Sequence, residues 1–495
     1  MTRAWCALLG LLEFLSAPSF ALPSERGEHP SFLASAAQRI SAPRMAELVA
    51  RLSGPEFHGR LTGTPDDLES ARFVATQFSV AGLQPLFPQA AWMMAVEVAA
   101  TRIAENPAPQ FRISSAESSH SIEMGSAYLP MLDSPSIDLT APFVFVGYGI
   151  ADPAHGWDDY AGVDVRNRVV AFLRGKPEPY AYPLSHADKV RMARGHGAAA
   201  FLTFSGPIMS PYEARRGMGH APLAFYNQTS PDSSLPGAWI HTDLAEQLLS
   251  GHLAAMGRSW RDVQQFSHPA APHAFETTTP IRLKWERSQE KGTLHNVVGC
   301  LLGTDPSLAD DTIVIGAHRD HFGQQADLLF PGADDNASGT AVLLEVARAL
   351  IESGAKPRRS ILFVSFSGEE QGLLGSRLYV DRPARPLAKT VAMINIDHAG
   401  VGNGRLTVGV TGLEHSAASA AGLQAGLADR LDLYGFFPGG DHVPFKEAGV
   451  PTLTVVSGGA HPHYHQPSDT SDTIRPDILE RTARYVLALV WQLAN

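Results

Sequence analysis

Cysteine is almost absent: Cys6 and Cys300 are the only two in 495 residues. That excludes a disulfide framework and leaves core size to stabilise the chain. Positive charge is also in deficit. A formal net charge of −11 argues against a general nucleic-acid binder, because neutralising phosphates requires a basic face. No stretch approaches the roughly 18 uninterrupted apolar residues of a membrane span. Low-complexity tracts and fixed-period repeats are missing as well. So are H-E-x-x-H, G-x-S-x-G, C-x-x-C and G-x-x-x-x-G-K-[ST], which disfavours the common α/β serine hydrolases and P-loop enzymes.

What is there suits a globular protein of two or three domains, with 44% hydrophobic and 18% charged residues. Residues 1–21 read as an export signal. Arg3 supplies the positive start, Trp5 to Leu15 the apolar core, and Ser19-Phe20-Ala21 a small-x-small cleavage site, with Glu13 as a blemish. Export to the periplasm or the medium follows, and cleavage would leave Cys300 as the one thiol.

Beyond the leader, helical spacing marks Arg44 to Leu52 and Asp66 to Ala81, separated by the glycine-punctuated loop Gly59-Arg60-Leu61-Thr62-Gly63-Thr64. From residue 140 to 280, short β-prone runs alternate with Pro-, Ser- and His-rich loops, which we read as an inserted β-rich domain. It divides a larger unit into a first part, 30–139, and a main part, 281–495. After Asn296, strands and helices alternate regularly, and the expected class is α/β with a central mixed sheet flanked by helices.

Three apolar runs, TIVIGAH, SILFVSF and VAMINID, end at or just before His318, Glu369-Glu370 and Asp397. Ligands at the carboxyl ends of parallel strands are what a metal centre on an open α/β sheet needs. Asp320 follows His318 closely enough to orient its ring. Asp334-Asp335-Asn336 precedes a periodic helix; helix capping explains one of the three and leaves an extra acid. His461, His463 and His465 share one loop with Asp469. Each block alone reads equally as a surface loop, a cap or a solvated acid pair. Together they point to metal.

In order, GAHRDHFG, PGADDNASG, FSGEEQGLLGS, NIDHAG, DHVPF and YHQPSDT resemble the blocks of the M28 family of co-catalytic zinc aminopeptidases. The stretch from FVFVGYGI to NRVV looks like the start of the protease-associated (PA) insert that some members carry. The resemblance implies a zinc-exopeptidase fold and two zinc ions, replaceable by cobalt or manganese. It implies one ion on His318 and Asp397, the other on Glu370 and His465, and Asp335 shared, with the adjacent Asp334 as the alternative bridge. Glu369 would be the general base, Asp320 the partner of His318, and Tyr464 a donor to the oxyanion. Peptides with a free N-terminus would be the substrates; the oligomeric state stays open.

The chain departs from the family's usual blocks at His398 and Ala399, where larger apolar residues are frequent, and at Gly440, where serine is usual. His442 is either a pocket residue or a loop anchor. Other readings are a carboxypeptidase or dipeptidase, for which Arg377 or Arg405 would have to supply a cationic pocket, a glutaminyl-cyclase-like acyltransferase, and an inactive binding protein on the same scaffold.

Overall fold

Strands buried on both faces need no alternation of polar and apolar residues, and Thr312–His318 and Ser360–Phe366 are buried at every position. In the computed structural model they lie parallel, flanked by Thr390–Asp397 and then Thr452–Ser457, also parallel. The model describes residues 29–87, 92–114, 119–210, 213, 218–227, 234–268, 271–272 and 274–495. The leader assigned to residues 1–21, with Cys6, lies outside them.

Antiparallel strands Arg287–Leu301 and Leu406–Thr411 continue this sheet on either side, making it mixed. Successive residues face opposite layers. Ile313, Ile315 and Ala317 join the larger core, beneath Ala42–Leu52, Pro65–Ala81, Gly339–Glu352 and Pro476–Ala494. Val314 joins the thinner layer, with Tyr379 and Phe445 from the short helices Leu374–Asp381 and His442–Glu447. The helix at 65–81 starts as its sequence dictates. Thr64 accepts the Asp67 amide, Pro65 opens the first turn, and Gly82 ends the helix at φ +93°.

Register places the chemistry. His318 lies opposite Phe366, and Asp397 opposite Val456. The parallel strands therefore end along one line, from which the loop to Glu369-Glu370 also departs.

A second mixed sheet runs, in spatial order, through Ser119–Ile122, Gln110–Ser114, Phe275–Trp285, Ile137–Phe145, Val169–Leu173, Ala200–Phe204, Gly237–Ile240 and Tyr128–Pro130. Its strands span 110 to 285, opening earlier than the boundary at 140 read from the sequence. Fully buried Phe111 and Tyr128, with ring centroids 5.4 Å apart, belong to this sheet's core with Trp285. The helix Thr242–Ala255 occupies part of the stretch read as loop. Contact between the two units includes Leu129, Leu132, Ala224 and Tyr226 against Phe322 and Phe330. Among the described residues no helix is long and apolar enough to cross a membrane.

The second unit buries a lysine. Lys189 Nζ donates to the carbonyls of Leu173 and Gly175, at 2.5 and 2.8 Å, and burial pulls its pKa down to about 7. Between that value and about 10.4, its ordinary value, the unfolded chain holds a proton that the folded chain has released. Stability from this group therefore rises with pH across that window. Thermal melts of the parent and Lys189→Met at pH 7 to 10 should show the parent gaining on the variant as pH rises.

Candidate metal centre

Asp335 is a buried carboxylate with one imidazole on each side. His318 Nε2 lies 3.3 Å from Oδ1, and His465 Nε2 lies 3.1 Å from Oδ2. Each ring has a carboxylate of its own: Asp397 Oδ1 is 3.4 Å from His318 Nε2, and Glu370 Oε2 is 3.4 Å from His465 Nε2. Two trios sharing one acid result, drawn from two strand ends and three connecting segments.

The rings are held so that Nε2 carries the free lone pair. His318 Nδ1 faces the main-chain oxygen of Asp320 at 3.2 Å, and His465 Nδ1 faces that of Ala224 at 2.8 Å. Donating one ring N–H to a carbonyl is how proteins prepare the other nitrogen for a metal. The separations of 3.1–3.4 Å also fit metal ligation. In a tetrahedron with bonds of about 2.0–2.1 Å, neighbouring ligands lie about 3.3 Å apart. Imidazole and carboxylate donors suit zinc, and the residues present fit a pair of such ions.

Local sequence explains how the loop carrying Asp335 is freed for this. Asn336, not an aspartate, caps the following helix: its Oδ1 accepts the Gly339 amide while Nδ2 donates to Ile396 O, both at 2.9 Å. Asp469 accepts the amides of Asp334 and Asp335, at 2.9 and 3.1 Å. Arg60, fully buried, donates to the carbonyls of Leu52, Arg319, Pro331 and Gly332 and so braces the loop from beneath. That gives RLTG a physical task.

Glu369 and Glu370 leave the neighbouring strand with both amides directed to the Asp320 carboxylate, at 3.3 and 3.4 Å. The same carboxylate is 3.7 Å from His318 Nδ1. Burial, reinforced by neighbouring carboxylates, pushes both glutamates well above the usual carboxylate range. Burial also raises Asp441 to about 7 and Asp469 to about 8. The protein therefore gathers more carboxylates than it can ionise by itself, a field that dications would relieve.

The three loop histidines diverge. His465 joins the shared acid, His461 turns to Asp334 at 2.5 Å, and half-buried His463 faces Ser468 Oγ at 2.9 Å. Tyr464 stacks on His465, with centroids 3.7 Å apart, and packs among residues of the second unit. His442 Nε2 donates to Phe437 O at 2.7 Å, as a loop anchor does. Arg377 and Arg405 are paired with Glu447 and Asp432, at 3.1 and 2.7 Å.

His321 was missed in sequence although it stands three residues after His318. It lies within ligand reach of Asp335 and Glu370. Its 2.8 Å contact with Glu370 Oε1 has hydrogen-bond length, so Nδ1–H orients the carboxylate and leaves Oε2 toward His465.

Residues 296–490 match the model of Peptidase family M28. The M28 match takes in the whole constellation from His318 to His465. A probable leucine aminopeptidase from Arthroderma otae is 28% identical over 305 residues, covering 55% of this chain and 83% of that protein. A probable glutamate carboxypeptidase from Zea mays is 26% identical over 489 residues, covering 86% and 62%. The solved structure of an aminopeptidase from Aneurinibacillus sp. strain AM-1 covers 94% of this chain and 96% of its own, with TM-score 0.68 and 24% identity. At that identity the likeness is one of fold.

Replacing Arg60 by Met would remove the guanidinium donors of four buried carbonyls, of which Gly332 O keeps the Ala337 amide at 3.2 Å. We expect a loss of about 3–5 kcal/mol in urea unfolding, with weaker zinc retention during dialysis.

Proposed function

We propose that this protein is an exported two-zinc aminopeptidase that removes residues from the N-terminus of peptides. The observation that carries the reading is Asp335, facing one histidine nitrogen with each oxygen while each histidine meets its own carboxylate. His318 and Asp397 would hold one zinc, Glu370 and His465 the other, and Asp335 both. Bound there, a pair of zinc ions would polarise the scissile carbonyl and acidify the attacking water.

The remaining steps belong to side chains. Glu369 accepts the proton of the attacking water and hands it to the leaving amine, which suits a carboxyl whose affinity for protons is raised by burial. Asp320 holds the Glu369 amide and so fixes the base. The Tyr464 hydroxyl donates to the oxyanion that develops on the carbonyl. The surplus of carboxylates favours a substrate ammonium over a terminal carboxylate. Arg377 and Arg405, the cations that a carboxypeptidase reading required, are engaged by acids elsewhere.

We take the second unit as a PA-like insert that limits substrate size. Its segment around Pro222 and Ala224 is joined to the catalytic loop by Gln466 Nε2 donating to Pro222 O, and by Ala224 and His465 exchanging hydrogen bonds.

Purified enzyme should be assayed on aminoacyl anilides, N-blocked peptides and C-terminal substrates. We expect cleavage only behind free N-termini, abolished by chelation and restored by zinc. Glu369→Gln should lower kcat about 10²–10⁴-fold with metal content unchanged. Hydrolysis that survives both chelation and Glu369→Gln would sink the mechanism. Cleavage confined to blocked or C-terminal substrates would reject the aminopeptidase assignment.

A further inference from the structure

We propose that the protein binds a third divalent cation, of the zinc, cobalt or manganese class, in a site made by Asp334, His398 and His461. The proposal rests on the metallopeptidase reading above and uses none of the residues assigned to the paired ions.

One ligand atom from each of the three residues lies within 4.8 Å of the others. His461 is prepared as a ligand in the way His318 and His465 are. Its Nε2 donates to the Ser457 carbonyl at 3.0 Å, leaving the lone pair on Nδ1. That nitrogen lies 2.5 Å from Asp334 Oδ2, the length of a short hydrogen bond. Two acceptors so close repel unless a cation, whether proton or metal, lies between them. The other Asp334 oxygen is satisfied by the Gly400 amide at 2.8 Å.

His398 completes the trio. Its backbone takes φ +46°, a conformation unfavourable for a residue with a side chain, and its Nδ1 lies 3.5 Å from Asp334 Oδ2. That nitrogen is buried without a hydrogen bond. With Nδ1 on an ion, the remaining Nε2–H would face Asp335 Oδ2, 3.7 Å away.

Space and charge agree. A small pocket lined by Asp334, His398, His461 and Tyr464 has a volume of about 10 Å³, room for one water-sized particle. Asp335 also lines it, and a cation there meets a favourable potential from the Asp334 and Asp335 carboxylates. Binding needs His461 Nδ1 and Asp334 Oδ2 to part by several tenths of an ångström, so that both reach bonds of about 2.0–2.2 Å.

The competing occupant is a proton, giving imidazolium rings paired with Asp334 and no third ion. To decide, the full chain is stripped with chelator, dialysed against increasing Zn²⁺, and its zinc counted by mass spectrometry, for the parent, His398→Leu and His461→Gln. We expect three equivalents in the parent and two in each variant. Anomalous difference maps of zinc-soaked parent crystals should show a peak within bonding distance of Asp334 Oδ2; this arm does not depend on the variants folding. Saturation of the parent at two equivalents overturns the third site and leaves the paired sites standing. A third equivalent that survives both substitutions, or no peak at Asp334, also overturns it. Fewer than two equivalents would overturn the paired-ion reading as well.

Discussion

The carboxylate of Asp335, buried between two imidazoles, is the constraint from which the rest of the centre follows. Burying a carboxylate costs several kcal/mol unless cations and hydrogen bonds compensate. The chain compensates in layers. Nitrogen atoms face both oxygens, Asp469 takes the amides of the loop, and Arg60 bonds four carbonyls beneath it. Arg319, itself fully buried, pairs with Asp67 at 2.5 Å and ties the same region to the helix at 65–81. Precision at the site is therefore bought well away from it.

Much of this could be read from the chain because parallel strands impose a simple code. A run such as TIVIGAH, apolar throughout, has to be interior, and whatever follows it emerges at the sheet's carboxyl rim. Residues 318, 369–370 and 397 were legible on that ground. The division of labour in Asp334-Asp335-Asn336 was not, since any of the three can cap a helix. Asn336 does so here, and the structure turns Asp335 and Asp334 toward different histidines.

The second unit was harder to delimit for physical reasons. One outer strand, at 119–122, is short and largely exposed, so its sequence carries little apolar signal. Its strand at 275–285 includes Pro280 and a bulge, which read as a loop. The helix at 242–255 is capped by His241, whose Nδ1 accepts the Asp243 amide, outside the usual set of Ser, Thr, Asp and Asn. His321 and His398 owe their positions to tertiary packing, which periodicity does not encode.

One contact ties the two units in a way that bears on biogenesis. Ala224 and His465 are 241 positions apart, yet the carbonyl of the first holds the ring of the second. A nascent chain whose second unit has not folded leaves that imidazole free to rotate. Under the proposed two-zinc reading, the centre would be complete only once both parts of the polypeptide have packed together.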